Sequence, residues 1–162
     1  MKNILKTILI FSILILGSCS QEKKLFNAKL VDNGDKKSIS YVPNMDFKIV
    51  NDSAFYYFNQ EDYKKILGGD IKLGEDIYSS NNFKIKVILR EYTTIDKTEY
   101  EMILRTYGND FRIIDSFTIS STISNNYCDG YITNDLNVIR NCNGEKMVAG
   151  YINELGKFII PQ

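Results

Sequence analysis

In the stretch FKIKVILREY, Phe83, Ile85, Val87 and Leu89 alternate with Lys84, Lys86 and Arg90. That two-residue period describes a strand with one buried face, and Ile88 is the exception to it. Tyr100 to Tyr107, reached through TTIDKTE, reads as its antiparallel partner, and Gly108-Asn109-Asp110 turns the chain into a strand over 111–120. The pattern predicts further strands at 127–133, 137–141, 147–152 and 157–160, the last pair joined by Glu154-Leu155-Gly156. Shorter ones are expected earlier, at 39–42, 47–50 and 54–58. The intervening GGDIKLGEDIYSSNN reads as a connection, with Gly68, Gly69 and Gly74 as turns.

One segment has the helical period instead. In NQEDYKKILGG, Asn59 is an N-cap, Glu61 and Asp62 suit the positive end and Lys64 and Lys65 the negative end, while Gly68 can take the left-handed C′ position. The fold expected is therefore mainly β (α+β). It is an antiparallel meander, closed as a sandwich or barrel-like, with one short helix near residues 60–67.

The N-terminus is of another kind. Lys2 and Lys6 precede an uncharged run, Ile8 to Leu16, that rises only about 14 Å as a helix, half a bilayer's hydrocarbon thickness. This is the layout of a signal peptide. Leu16-Gly17-Ser18-Cys19 then resembles a bacterial lipobox. The resemblance implies cleavage before Cys19, a diacylglyceryl group on its sulfur and a further acyl chain, such as palmitate, on its amino group. One acyl chain holds a protein only marginally at a bilayer, whereas two or three hold it stably. An ordinary secretory signal that happens to end near a cysteine is the alternative. Ser20, in place of Asp, follows Cys19, which by resemblance to enterobacterial sorting implies the outer membrane, on its periplasmic or its cell-surface face.

The organisation expected is a signal peptide over 1–18, a lipidated N-terminus and flexible tether over 19–37, and a single β-rich domain over 38–162. From Phe83 onward, LRTYGNDFRIIDSFTIS, DGYITNDLNVI and GYINELGKFII look similar to the C-terminal halves of small uncharacterised Gram-negative lipoproteins. That resemblance implies a fold and no functional residues.

Charge changes the picture by exclusion. The chain balances 20 basic against 20 acidic residues, which argues against nucleic acid as a partner. It contains no His and no Trp. Without His, Ser-His-Asp and Cys-His nucleophiles and His-containing metal sites cannot be built. There is no phosphate-binding glycine loop, and DNGD and NDLN fall short of a calcium loop. No metal, no cofactor and no catalytic residue is therefore assigned.

Of three cysteines, removing the lipidated Cys19 leaves Cys128 and Cys142, an even pair in an oxidising compartment. A hairpin with Asn134-Asp135-Leu136 as its loop sets them directly opposite, close enough for a disulfide. A two-residue Asn134-Asp135 turn would put them on opposite faces and leave two thiols.

The acidic pairs Glu61-Asp62, Glu75-Asp76 and Glu99/Glu101 invite an acid/base reading, but such pairs are usually solvated surface charge. Asp115 shares a face with Phe111, Ile113, Phe117 and Ile119. It is either a perturbed carboxylate or a residue that marks a bulge and accepts backbone hydrogen bonds. Tyrosines 56, 57, 63, 78, 92, 100, 107, 127, 131 and 151 could form a binding face or simply cover the sheet.

The function expected is a membrane-anchored lipoprotein whose non-catalytic domain binds an envelope protein partner. An enzyme relying on carboxylate, Tyr or Lys chemistry, or a passive structural component of the envelope, are the other readings. A binding module should expose aromatic and apolar residues together, and an enzyme should gather carboxylates in a deep pocket.

Overall fold

The computed structural model describes residues 23–32, 37–41, 45–49, 57–58, 69–93, 95, 98–125, 127–143 and 145–161. Within them the chain is mainly β, an antiparallel arrangement with almost no helix, and it does not close into a barrel. The strands are β1 (Lys24–Asp32), β2 (Lys37–Tyr41), β3 (Lys48–Ile49), β4 (Gly69–Ser79), β5 (Lys84–Thr93), β6 (Thr98–Tyr107), β7 (Ile113–Ser121), β8 (Cys128–Thr133), β9 (Asn137–Cys142), β10 (Glu145–Ile152) and β11 (Phe158–Ile159). The predicted helix near 60–67, the signal segment and Cys19 lie outside the described residues.

From β3 to β11 each strand hydrogen-bonds the next in chain order, and the path forks at β8. One edge of β8 pairs with β9 throughout. Among the described residues its other edge meets β7 only at Ser121 opposite Cys128, and then β1, with Asn27 opposite Tyr131 and Ala28 opposite Gly130. The sheet folds over at this joint. Ile85, Val87 and Leu89 of β5 and Met102 and Leu104 of β6 share one core with Phe26 and Ala28 of β1, Ile132 of β8, Val138 of β9 and Ile152 of β10. Each large side chain so buried contributes about 1.5–3 kcal/mol.

The fork needs small residues. Ala28 is fully buried, and a Cβ on Gly130 would lie 2.6 Å from the Ile139 carbonyl oxygen and 2.8 Å from that of Ile119. Only glycine lets β7 and β9 approach β8 this closely.

Two readings of the sequence are corrected here. Lys24–Asp32 is no tether but a strand paired with both β2 and β8, with Phe26 and Ala28 turned into the core. Likewise GGDIKLGEDIYSSNN is largely β4, paired along β5 from Gly69 opposite Tyr92 to Ser79 opposite Lys84. Gly74 is not a turn. It lies in β4 beside a register shift, where a Cβ would come within 2.8 Å of the Met45 sulfur and 3.0 Å of the Val87 carbonyl oxygen. The glycine marks a bulge and a close approach.

The C-terminal hairpin seals one end of the fold. The Thr106 hydroxyl donates to the Gly156 carbonyl at 2.6 Å, Asn82 Nδ2 donates to the Glu154 carbonyl at 3.2 Å, and the rings of Phe117 and Phe158 stack with centroids 5.5 Å apart. β11 therefore lies across β7, not free beyond β10.

Candidate functional site

The outer face of β4–β7 is where side-chain chemistry gathers. Strand alternation sends Val87, Leu89, Met102 and Leu104 inward, so Lys86, Ile88, Arg90, Ile103, Glu101 and Arg105 point the other way. Registers align them into rungs: Leu73, Ile88, Ile103 and Thr118; Ile71, Arg90, Glu101 and Ser121; Asp76, Lys86, Arg105 and Ser116. Ile88, the exception to the alternation, is fully buried here in a second cluster with Phe58, Ile71 and Ile103.

Glu101 is the hub. Its Oε2 accepts from Arg90 Nη1 at 2.9 Å and from the Tyr92 hydroxyl at 3.3 Å, and its Oε1 accepts from the Thr118 hydroxyl at 2.9 Å. The Arg90 and Glu101 side chains are only 7% and 13% exposed. A pair this far from water is held by its geometry and its added hydrogen bonds, and breaking one side leaves an uncompensated charge. Burial raises the pKa of Tyr92 above its ordinary value, the Glu101 charge adds to this, and Arg90 opposes it.

Arg105, almost wholly buried, donates from Nε to the Ser116 hydroxyl at 2.8 Å and from Nη1 to the Tyr57 carbonyl at 2.9 Å. The Tyr107 hydroxyl donates to that same carbonyl at 2.7 Å. Residues 57–58 are thus pinned over this face, and Phe58 covers its apolar rung. Lys86, opposite a like charge at Arg105, is neutralised by Asp76 at 2.6 Å.

These charges are occupied with one another. Glu101, read from the sequence as solvated surface charge, is instead an interior carboxylate with both oxygens engaged, and Glu99 accepts the Ser124 backbone N–H at 3.1 Å. Glu75 and Asp76 are exposed, and Glu61 and Asp62 lie outside the described residues. Asp115 accepts backbone hydrogen bonds from Ser116 and Phe158 beside a register shift in the β6–β7 ladder. Among the described residues no group of three or more Cys, Asp or Glu is placed to hold a metal ion, and no helix is long and apolar enough to cross a membrane.

Cys128 and Cys142 are directly opposite in the β8–β9 ladder and form a disulfide, with Cα atoms 4.1 Å apart. The three-residue loop is the one adopted. Leu136 takes a positive φ of 61° within it, and its N–H donates to the Thr133 carbonyl at 3.0 Å.

The tyrosines divide. Tyr107 is buried; Tyr57, Tyr78, Tyr92, Tyr100, Tyr127 and Tyr131 are half-buried; Tyr151 is exposed; Tyr56 and Tyr63 lie outside the described residues. Tyr151 has company. It is opposite Ile159 in the β10–β11 pair, and Tyr151, Leu155, Ile159 and Ile160 are 47%, 67%, 37% and 57% exposed. Four large apolar side chains are thus exposed within ten residues of one hairpin, two of them, Tyr151 and Ile159, directly opposite each other, where surface hydrophobes are usually scattered singly. Phe111, 49% exposed, stands on the loop whose Asn109 donates to the Asn81 carbonyl at 2.7 Å, and Asn82 in turn reaches Glu154 of the hairpin loop. Three loops therefore meet at the pole from which Leu155 projects.

No family model matches this chain, and neither the curated proteins nor the solved structures contain a significant match to it.

Proposed function

We propose that the protein is a lipoprotein of the bacterial outer membrane, held there by acylated Cys19, whose β domain is a non-catalytic module that binds an envelope protein through its C-terminal hairpin. The observation that carries the binding reading is the exposed set of Tyr151, Leu155, Ile159 and Ile160 on the β10–β11 hairpin and the residue after it. Tyr is a favoured interface residue, and a terminal strand with apolar flanks is the element a partner strand or groove can use. The interior charges weigh the same way, because the Glu101 carboxylate is engaged by Arg90, Tyr92 and Thr118 and is not presented to a substrate. Leu16-Gly17-Ser18-Cys19 supports the anchor.

The test has two arms. The intact mass of protein purified from membranes should show cleavage before Cys19 and added acyl chains; an unmodified Cys19 overturns the anchor. A photo-crosslinker at position 151, activated in intact cells, should give one discrete adduct that Ile159→Asp abolishes. Labelling no different from that of a crosslinker at exposed Asp135 overturns the binding surface.

A further inference from the structure

The Cys128–Cys142 bridge is built asymmetrically. Cys128 is fully buried, whereas Cys142, beside exposed Asn143, retains access to solvent. Arg140 lies two residues before Cys142 on β9 and extends Nη2 to within 3.1 Å of the Cys128 sulfur. The same guanidinium lies 6.0 Å from the centre of the Phe117 ring, and its Nε is buried without a hydrogen-bond partner among the described residues. A cation in that position does little for a neutral disulfide. It does a great deal for a thiolate on Cys128, because a neighbouring positive charge lowers a thiol's pKa, and lower-pKa thiols leave faster in exchange.

The geometry points to Cys128–Cys142 as a thiol–disulfide exchange site for a dithiol reductant, with Cys142 the sulfur attacked and Cys128 the leaving thiolate received by Arg140. In the first step a thiolate of the dithiol bonds to the Cys142 sulfur. The Cys128–Cys142 bond breaks and its electron pair passes to Cys128. The second thiolate of the dithiol then attacks its own sulfur in the mixed disulfide and releases Cys142 as a thiolate. Two electrons move from the dithiol to the protein, the dithiol leaves as a disulfide, and its two protons end on the protein cysteines or in solvent.

The bridge occupies a place where opening it has consequences. Cys128 begins β8, the strand at which the sheet forks, and Ser121 opposite Cys128 is the one ladder pair between β7 and β8 among the described residues. Reduction would release the end of the β8–β9 hairpin at the fork of the sheet. This reading stands on the bridge and does not depend on the membrane anchor.

The experiment exposes the oxidised domain to glutathione, maps the trapped adduct by peptide mass, and then measures the rate of reduction by dithiothreitol for the wild type, Arg140→Met and Arg140→Lys. Glutathione is expected on Cys142, with Arg140→Met reduced roughly threefold to tenfold more slowly and Arg140→Lys close to wild type. Glutathione on Cys128, or equal rates for the wild type and Arg140→Met, overturns the assignment. If Arg140→Met does not fold, the site of the wild-type adduct still decides which sulfur is attacked.

Discussion

The Asp115 carboxylate holds the backbone of the last strand: Oδ2 accepts the Phe158 N–H at 3.0 Å while Oδ1 accepts the Ser116 N–H at 2.8 Å. β11 therefore reaches β7 through a side chain and not through a ladder. An edge strand with unpaired N–H groups invites unwanted pairing, and a carboxylate aimed at that edge blocks one such donor. The stacked rings of Phe117 and Phe158 flank the contact, so the closure of the fold combines a charge-assisted hydrogen bond with apolar burial.

Replacing Asp115 by Ala leaves the Phe158 N–H without its acceptor in a half-buried site and should cost about 1–3 kcal/mol. Asp115→Asn keeps an acceptor oxygen and should recover part of that loss. Urea denaturation of the three proteins measures both, and an Asp115→Ala variant as stable as wild type would show that the contact contributes nothing.

The Glu101–Arg90 pair gives a sharper contrast. Glu101→Ala removes the carboxylate paired with the Arg90 guanidinium, 7% exposed, and should destabilise the domain by about 3–5 kcal/mol. Adding Arg90→Met should restore most of it, because an apolar pair can replace a buried ion pair with little net loss. A double-mutant cycle reads the coupling directly; simple additivity of the two losses contradicts the hub described for Glu101.

How legible was this in the sequence? The meander from β5 to β11 follows from alternation and turn residues, and the register of the β8–β9 hairpin followed once the loop was taken as three residues. What escaped was tertiary. Lys24–Asp32 reads as a charged tether because its lysines and Asp32 dilute the few apolar residues, among them Phe26 and Ala28, that reach the core, and nothing local tells that β8 needs a second partner. Gly74 disguised β4 as a loop, although a lone glycine between Leu73 and Ile77 is also the mark of a bulge. Glu101 reads as surface charge because its partners, Arg90 and Tyr92 on β5 and Thr118 on β7, come from neighbouring strands that local sequence does not reveal. One signal was available: carrying the β5–β6 pairing back from the TTIDKTE loop sets Arg90 opposite Glu101.

Gly130→Ala should be among the most damaging single changes in the chain. The added methyl would meet two backbone carbonyl oxygens, on Ile139 and Ile119, at 2.6 and 2.8 Å, and backbone has little room to give in a paired sheet. Overpacking of this kind costs about 1–3 kcal/mol and sometimes more. Thermal melting of Gly130→Ala against a surface control such as Asp135→Ala checks it, and equal midpoints would mean that the fork does not depend on glycine.

Tyr92 predicts how the fold responds to alkali. Burial and the Glu101 charge raise its pKa in the folded protein, against the pull of Arg90, so the folded state holds the phenolic proton more tightly than the unfolded chain does. The stabilisation is complete below the ordinary tyrosine value of about 10 and is lost as pH rises through the raised folded value. Tyr92→Phe removes the titrating group along with its hydrogen bond to Glu101. At about pH 8 the variant should be the less stable protein, and toward about pH 11 the gap to wild type should narrow, because only the wild type loses this contribution. Denaturant midpoints measured across that range supply the test, and a constant gap would place the tyrosine proton outside the energetics of the fold.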